Sequence, residues 1–402
     1  MSRVAVLGAG TMGAGIAQTA AQGGWEVALR DVDEATVDAA IAGIGKRLDR
    51  LVEKNKLTAD ERAAIGARLR NGMRGGELAA CELVIEAIVE DMTIKTRVMK
   101  EVAGQARTDA ILATNTSSLS VAAIGEGVGA VERTVGMHFF NPVPLMKLVE
   151  IISGERTDPA VADRAAKIAT TWGKTVVRVR DTPGFIVNRV ARGFYLEAMR
   201  LLDEGVAGVD EIDAVMRSMG GFRMGPFELM DLIGIDVNYA VSVSVWDQLG
   251  KPARLEPHPI QRHLVENQRF GRKSGRGAYS YDMESPIPAL PLDRKSFDLP
   301  HSTYEAVRLF ADGAGAAGGS ITEQFVFARI LGAIMNEAGL AIDEEVASPA
   351  DIDTAMKLGV NYPHGPTEWA ERVGRRTCRH LLDALNEGPC AGRYVAARWF
   401  RE

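Results

Sequence analysis

The chain has 402 residues, of which 46% are hydrophobic and 25% are charged, and its formal net charge at pH 7 is -6. This length suits two or three domains with large cores. The negative charge, without any Lys- or Arg-rich run, argues against a nucleic acid or an anionic membrane as a partner. The three cysteines, Cys81, Cys378 and Cys390, lack the spacing of a metal site or a disulfide framework. With no leader-like segment and no apolar run of membrane-spanning length, we expect a cytoplasmic protein without a bound metal.

The N-terminal part of the chain, up to Asp181, alternates short apolar strands with helical stretches. Strands at Arg3–Gly8 and Trp25–Asp31 enclose a helix at Thr11–Gly24, and a long helix follows at Val32–Lys54. Such a β-α-β unit requires parallel strands joined by a right-handed crossover. Further strands are predicted at Leu83–Ala87, Ala110–Thr114, Thr134–Phe139, Leu148–Ile152 and Thr175–Val179. The alternation predicts a doubly wound parallel sheet, an α/β domain of the Rossmann type, over residues 1–181.

Beyond Asp181 the strand pattern stops and helical periodicity begins. Phe185–Glu228 aligns with Phe325–Glu368 without gaps, and 14 of the 44 positions are identical. Chance would give about three identities. The alternative is that the two segments acquired similar helix patterns independently, but this would not align Gly-Pro and Ile-Asp pairs at one constant shift. We call this shift, the distance in sequence from Phe185 to Phe325, the repeat offset. We therefore predict an all-α region made of two related helical repeats. The first copy covers residues 182–282, a linker rich in proline and glycine covers 283–319, and a second, degenerate copy covers 320–402.

A glycine-rich turn, GAGTMG at residues 8–13, joins the first predicted strand to the first helix. Gly8 permits a tight turn, Gly10 lets a pyrophosphate approach the backbone, and Gly13 lets the helix pack closely on the strand. Asp31 can accept hydrogen bonds from ribose hydroxyls and would repel a 2′-phosphate, which favours NAD over NADP. Arg30 beside it could instead pair with that phosphate. The alternative is a glycine turn and a surface aspartate that bind no ligand.

A histidine and a glutamate occupy neighbouring apolar strands. His138 lies near the carboxyl end of the strand TVGMHF, where open α/β sheets bind ligands, and Glu150 lies within LVEII. A buried carboxylate needs a partner, and His138 can supply it. A carboxylate on one ring nitrogen fixes the tautomer and raises the basicity of the other nitrogen. The pair is therefore suited to removing a proton from an alcohol, although a core histidine and a strand-edge glutamate are the alternatives.

Two further polar groups are candidates for the same site. Ser117 follows the apolar strand AILAT, and Asn188 lies on the first helix after the domain break. Helix capping would also explain Ser117, and a solvated helix face would explain Asn188.

Seven segments in order resemble the 3-hydroxyacyl-CoA dehydrogenases. They are GAGTMGAGIAQ, IEAIVED, NTSSL, HFFNPVPLMKLVE, DTPGFIVNR, GPFELMD and FGRKSGRGAYSY, and the resemblance runs from residue 1 to about 282. It implies oxidation of the 3-hydroxyl of an L-3-hydroxyacyl-CoA to a ketone, with the hydride passing to NAD. Fatty acid β-oxidation and phenylacetate catabolism are the implied settings. Two alternatives remain: a dehydrogenase of free 3-hydroxy acids, and a non-catalytic NAD-binding protein of the same fold.

The resemblance also implies roles for individual residues. His138 would be the general base and Glu150 its orienting partner, Ser117 would bond the reacting oxygen, and Asn188 would position the substrate. The implied NAD contacts are Met12, Asp31, Glu90, Lys95, Ser117, Asn141 and Lys273. Lys54 corresponds to a contact with a CoA phosphate, although a charged helix face is the alternative. This chain has Arg47 where some relatives have a serine.

The second copy resembles the duplicated carboxyl-terminal domain of longer family members. Its counterpart of Asn188 is Ala328, so we interpret this copy as structural. Shorter relatives pair two subunits through the helical domain, which makes a homodimer a candidate assembly. We expect the internal copy to occupy part of that surface. Acyl chain length remains open, and Arg192 or Arg223 could receive the second carboxylate of a dicarboxylic substrate.

Overall fold

The computed structural model describes residues 2–74, 77–296, 298–387 and 390–401. The chain divides into two compact units, Met1–Thr182 and Pro183–Glu402. The boundary lies one residue beyond the predicted one, and both helical copies belong to the second unit.

The first unit is an eight-stranded sheet with helices on both faces. Its strands are β1 (Arg3–Leu7), β2 (Glu26–Arg30), β3 (Leu69–Asn71), β4 (Leu83–Glu86), β5 (Ile111–Thr114), β6 (Thr134–Phe139), β7 (Leu148–Ser153) and β8 (Thr175–Arg180). Its helices are α1 (Thr11–Gln22), α2 (Glu34–Glu53), α3 (Ala59–Ala67), α4 (Met92–Ala103), α5 (Val121–Val128) and α6 (Pro159–Thr171). The strand order β3-β2-β1-β4-β5-β6-β7-β8 confirms the predicted Rossmann-type fold.

The central strands are apolar runs because helices cover both faces of the sheet. Ile16 of α1 and Ile44 of α2 pack on one face, and Met99 of α4 and Ile124 of α5 pack on the other. Each of these four side chains has no exposed surface. Because β1, β4, β5 and β6 are parallel, their carboxyl ends share one edge of the sheet, where the glycine turn, Ser117 and His138 lie.

One strand runs against the prediction of a wholly parallel sheet. β7 is antiparallel to β6, although it is parallel to β8. Residues 140–147 connect β6 to β7 without a helix. A parallel crossover needs a dozen or more residues, so this short connection can only return the chain in the opposite direction. The short stretch between the two predicted strands was therefore the feature of the sequence that could have predicted the direction of β7.

The second unit is helical. Its helices are α7 (Val187–Val190), α8 (Arg192–Asp203), α9 (Val209–Ser218), α10 (Pro226–Ile233), α11 (Ile235–Gln248), α12 (Pro259–Glu266), α13 (His301–Gly313), α14 (Ile321–Asp343), α15 (Pro349–Gly359), α16 (Pro366–Val373) and α17 (Arg375–Leu385). The unit also holds a two-residue ribbon of β9 (Tyr279–Ser280) and β10 (Ile287–Pro288), so the expectation that strands end at residue 181 was wrong in this detail.

The two copies carry the same helical elements. In the order of the chain, α9, α10 and α11 correspond to α15, α16 and α17 at the repeat offset. Asp213 accepts a backbone N–H of α10 at 2.9 Å, and Asp353 accepts one of α16 at 2.7 Å. A Cβ on Gly225 or Gly365 would lie 2.3 Å or 2.1 Å from that aspartate. Only glycine fits there, which explains why the Gly-Pro pair recurs.

The predicted linker at 283–319 contains a helix, α13, which corrects that boundary. Ala306, Val307, Phe310 and Ala311 are all buried along one side of α13. The spacing of these residues has the periodicity of a helix. The helix was missed because the prolines before α13 and the glycines after α13 dominate the composition of residues 283–319.

α14 is the central helix of the second unit. By length and mean hydropathy it could cross a membrane, contrary to the expectation that no apolar run is that long, but 83% of its most apolar window is buried inside the protein. Two buried charges, Arg329 and Glu337, lie on it. These features are typical of the core helix of a folded domain.

Candidate active site

The glycine turn between β1 and α1 has the geometry that a dinucleotide needs. Gly8 has φ +100°, and a Cβ there would lie 2.4 Å from the carbonyl oxygen of Ala87. A Cβ on Gly13 would lie 1.8 Å from the Gly8 oxygen, whereas a Cβ on Gly10 would meet nothing within 4 Å. Two glycines are therefore required by close packing, and Gly10 leaves the start of α1 open to a phosphate.

A cavity of about 730 Å³ opens beside this turn, and Gly8, Gly10, Met12 and Asp31 line it. Asp31 Oδ2 accepts the backbone N–H of Ala9 at 2.5 Å, which ties the carboxylate to the glycine turn. Arg30 also lines the cavity, but its Nη1 donates to the Gly72 carbonyl oxygen at 2.9 Å. An acidic residue at the end of β2, with the neighbouring arginine already bonded, suits the unphosphorylated ribose of NAD.

His138 and Glu150 face each other across the antiparallel pair of β6 and β7. His138 Nδ1 lies 2.6 Å from Glu150 Oε2, and the two residues are 7% and 0% exposed. Side chains of directly opposed residues lie on the same face of an antiparallel pair, which explains their contact. A carboxylate that binds Nδ1–H makes Nε2 the proton-accepting nitrogen of the ring, as a general base requires.

Two residues that were not predicted fix the chain on either side of this pair. Asn115 Oδ1 accepts the backbone N–H of Phe139 at 2.9 Å, which holds the end of β6 beside the end of β5. Lys174 Nζ donates to the carbonyl oxygens of Val143 and Met146 at 2.5 Å and 2.7 Å. Burial lowers the pKa of Lys174 to about 8. Lys174 thereby anchors the loop that joins β6 to β7.

Ser117 lies in a polar network built around Glu90. Glu90 Oε1 accepts the backbone N–H of Ser117 at 3.0 Å and the hydroxyl of Thr116 at 2.6 Å. Lys95 Nζ contacts Glu90 at 3.1 Å and Glu86 at 2.7 Å. Burial opposes ionisation of Glu90, but Lys95 and Thr116 outweigh it and lower the pKa of this carboxyl. The structure thus brings three predicted residues, Glu90, Lys95 and Ser117, into one cluster.

Lys95 is 1% exposed and Glu86 is fully buried. The ammonium group therefore fixes the loop that carries Glu90. Sequence reasoning missed Glu86, although a glutamate within the strand LVIEA carries the same signal that identified Glu150.

The remaining predicted residues lie apart from these clusters. Lys54 is exposed and caps the carboxyl end of α2, and Arg47 Nε donates to Gln18 at 2.8 Å. Asn141 is exposed, two residues beyond β6. Asn188, on α7, and Lys273, whose Nζ lies 2.6 Å from an oxygen of Asp236, belong to the second unit.

A Rossmann-type sheet, a glycine turn with an acidic residue after β2, and a histidine–carboxylate pair at the strand ends define an NAD-dependent dehydrogenase as a class. Residues 3–182 match the NAD-binding domain of 3-hydroxyacyl-CoA dehydrogenase. Residues 184–281 and 325–402 match the C-terminal domain of the same enzyme. The chain belongs to the 3-hydroxyacyl-CoA dehydrogenase family, whose cofactor is NAD.

Individual relatives agree with this assignment. The chain is 37% identical to the 3-hydroxyadipyl-CoA dehydrogenase of Escherichia coli K12, over 99% of this chain and 96% of that one. It is 39% identical to the 3-hydroxybutyryl-CoA dehydrogenase of Clostridioides difficile, over 70% of this chain and 99% of that one. The alpha subunit of the fatty acid oxidation complex of Psychrobacter cryohalolentis is 34% identical, and the alignment covers 93% of this chain and 51% of that subunit.

Solved structures are similar as well. The crystal structure of 3-hydroxybutyryl-CoA dehydrogenase from Escherichia coli K12 superimposes with a TM-score of 0.89 at 37% identity, covering 100% of this chain and 97% of that one. The (S)-3-hydroxybutyryl-CoA dehydrogenase PaaH1 of Ralstonia eutropha gives a TM-score of 0.68 at 36% identity, covering 70% and 100%.

Proposed function

We propose that this protein oxidises the 3-hydroxyl of L-3-hydroxyacyl-CoA to a ketone, with His138 as general base and Glu150 as its orienting partner. The observation that carries the proposal is the buried contact of 2.6 Å between His138 Nδ1 and Glu150 Oε2. The relatives that act on 3-hydroxyacyl-CoA thioesters support the substrate class. A relative named as (S)-specific supports the L configuration.

The reaction divides between the cofactor and the protein. Bound NAD would supply the acceptor for the hydride of C3. His138 Nε2 takes the hydroxyl proton, and Glu150 stabilises the imidazolium that results. In this proposal the Ser117 hydroxyl bonds the reacting oxygen and Asn188 positions the thioester. Asp31, Met12 and the glycine turn would hold the adenosine half of NAD.

The test is a pair of substitutions. His138→Ala and Glu150→Gln should each lower kcat by about two to four decades, because each removes or misorients the base. The affinity for NAD, measured by fluorescence titration, should stay constant because neither residue lines the cavity at the glycine turn. His380→Gln, a change at an exposed histidine of α17, is the matched control. Full activity of His138→Ala would refute the mechanism.

A substrate comparison tests the competing activities. Wild-type protein should reduce NAD with 3-hydroxybutyryl-CoA and not with free 3-hydroxybutyrate. A preference for the free acid would identify a dehydrogenase of 3-hydroxy acids, and no NADH with any acyl-CoA chain length would identify a non-catalytic protein.

We further propose a cytoplasmic location and a role in the breakdown of fatty acyl or phenylacetate-derived thioesters. The three cysteines lack the spacing of a disulfide framework, which suits a reducing compartment. Neither a nucleic acid nor a membrane is needed as a partner in this proposal. Assembly through the helical copies is tested below by truncation.

A further inference from the structure

One buried arginine of copy one, Arg192, is paired with no carboxylate in the described part of the chain. It is 4% exposed, and its guanidinium lies 5.0 Å from the centre of the Tyr195 ring. Burial lowers the pKa of Arg192, because the charged form loses its hydration. A buried charge without a counter-charge destabilises a fold. The presence of this arginine therefore indicates a role other than stability.

The hydrogen bonds of Arg192 join α7 to α11. Its Nε donates to the Asn188 carbonyl oxygen at 2.9 Å, and its Nη1 donates to the Asn238 carbonyl oxygen and the Ser242 hydroxyl, each at 3.0 Å. Gln261 of α12 extends this network, because its Nε2 donates to Asn238 Oδ1 at 2.6 Å. Arg192 is thus bonded within the protein and is not placed to receive the second carboxylate of a dicarboxylic substrate.

The bond from Arg192 to Asn188 spans a break in the helix. α7 ends at Val190 and α8 begins at Arg192, with Ala191 between them. In a continuous α-helix the Asn188 carbonyl would accept the backbone N–H of Arg192. Here the side chain of that same residue donates to the carbonyl. Helices bend where a side chain enters the hydrogen-bond ladder, so Arg192 fixes the backbone that carries Asn188.

Copy two forms the same helix contact without polar groups. The three side chains of the network have small or apolar counterparts at the repeat offset, which are Gly332 for Arg192, Cys378 for Asn238 and Leu382 for Ser242. A Cβ on Gly332 would lie 4.0 Å from Leu382, so α14 and α17 touch at the matching positions. α14 also runs unbroken through the counterpart of Ala191. The fold therefore does not need the arginine or the break, and both are found in the copy that has Asn188.

We propose that Arg192 is a positioning residue for the reaction, because it holds the break between α7 and α8 and thereby the backbone of Asn188. The proposal rests on the function proposed above, in which Asn188 positions the thioester. Since Arg192 is buried, it acts through Asn188 rather than on the substrate. A group that is displaced by about 1 Å can cost about 10²-fold in rate, so a loosened break should lower turnover.

The experiment is a double-mutant cycle on kcat with 3-hydroxybutyryl-CoA as the substrate. Arg192→Met is long and unbranched but has no donor, and it should lower kcat by about ten- to a hundredfold. In an Asn188→Ala background the same substitution should cost less than about twofold, because the residue through which it acts is already gone. Arg192→Lys keeps the charge and a donor and should recover part of the loss. The affinity for NAD should be unchanged, because the glycine turn lies in the other unit.

Melting curves separate this role from a purely structural one. Arg192→Met should lower Tm much less than Arg329→Gln, because it removes a buried charge that has no counter-charge and fills the space with an apolar chain. Arg329→Gln is the matched control, since Arg329 is a buried arginine that pairs with Glu197 and Glu204. It should lower Tm and leave kcat nearly unchanged.

Three results would overturn the proposal. One is an unchanged kcat in Arg192→Met, and another is an equal fold-loss from this substitution with and without Asn188. The third is a drop in Tm as large as that of Arg329→Gln, which would assign Arg192 to the fold. Normal turnover by Asn188→Ala would instead refute the role of Asn188 in the proposed function, and wild-type protein that yields no NADH with the thioester would refute that function itself.

Discussion

The two helical copies share a frame but differ where a ligand could bind. Both keep the aspartate–glycine–proline arrangement that starts the middle helix, with Asp213 in copy one and Asp353 in copy two. At the candidate substrate positions they diverge: Asn188 becomes Ala328, and Arg223 becomes Pro363. Copy two therefore keeps the residues that fix the start of its middle helix and lacks both candidate substrate residues of copy one. This difference predicts that function and stability depend on separate residues of one repeat.

The retained residues include a reciprocal set of ion pairs between the copies, in which both arginines are buried. The pairs are Arg189 with Glu337 and Glu344, and Arg329 with Glu197 and Glu204. Each partner in one set has its counterpart in the other at the repeat offset, so the copies meet about an approximate two-fold axis. Gly193 marks this contact, because a Cβ there would lie 3.0 Å from the backbone of Ala333, its own counterpart. The internal pair thus has the symmetry of an isologous dimer.

The largest expected effect comes from removing copy two. Deleting residues 301–402 would expose α8, which is buried along almost its whole length. We expect the shortened chain to lose thermal stability and to associate through the exposed face, as measured by melting curves and light scattering. An unchanged association state together with unchanged stability would show that copy two does not occupy an assembly surface.

Substitution of the reciprocal arginines tests whether the copies are structurally equivalent. Arg189→Gln and Arg329→Gln should each lower the free energy of unfolding by up to about 3–5 kcal/mol, because each removes one of the two arginine partners of a buried carboxylate. Arg379→Gln is the control, since its pair with Asp383 is exposed and 3.5 Å long. It should cost less than about 1 kcal/mol in urea unfolding. A strongly unequal loss between Arg189 and Arg329 would break the equivalence.

A third substitution tests the difference in ligand binding. Asn188→Ala, which gives copy one the residue found in copy two, should lower kcat by about 10²-fold, the effect of a substrate that is no longer held in the reactive position. Its Tm should change little because the side chain is only half-buried. The measurement is a steady-state rate beside a melting curve, with Asn267→Ala at an exposed site as the control. Normal turnover of the variant would show that Asn188 is not part of the active site.

Much of the fold and of the candidate site was predictable because its signals are local. The glycine turn, the strand pattern and the repeat offset are all visible in the sequence. The pairing of His138 with Glu150 followed from the cost of burying a lone carboxylate. The choice of Glu90 and Lys95 as site residues came only from the resemblance.

Long-range contacts were the part that the sequence could not supply. The antiparallel course of β7 depends on which strands pair, and α13 was obscured by flanking prolines and glycines. The role of Asn115 depends on a bond to Phe139, which lies on the next strand of the sheet. Likewise, the contact between the rings of Phe222 and Tyr362, whose centres lie 4.9 Å apart, depends on how the copies pack, which no local pattern encodes.

The smallest expected effect is a change with pH in the stability that the ion pairs between the two copies contribute. Burial opposes ionisation of Glu197, but Arg329 and Arg200 outweigh it and lower its pKa to about 2. A carboxyl that binds protons more weakly in the folded state than in the unfolded state stabilises the fold above its unfolded pKa, near 4.5. That contribution, roughly 3 kcal/mol, is lost as pH falls from about 4.5 towards 2.

Glu197→Gln therefore gives a variant whose deficit in unfolding free energy depends on pH. The gap between wild-type protein and the variant should be widest above about pH 4.5 and should narrow towards pH 2, because protonation then neutralises the wild-type carboxyl too. Urea midpoints at fixed ionic strength measure this gap. Glu337, its counterpart at the repeat offset, also has a lowered pKa: burial opposes ionisation, but Arg189 and Arg254 outweigh it. The gap for Glu337→Gln should therefore narrow in the same direction. A gap that stays constant with pH in both variants would mean that these pairs hold the copies together by shape and hydrogen bonding rather than by charge.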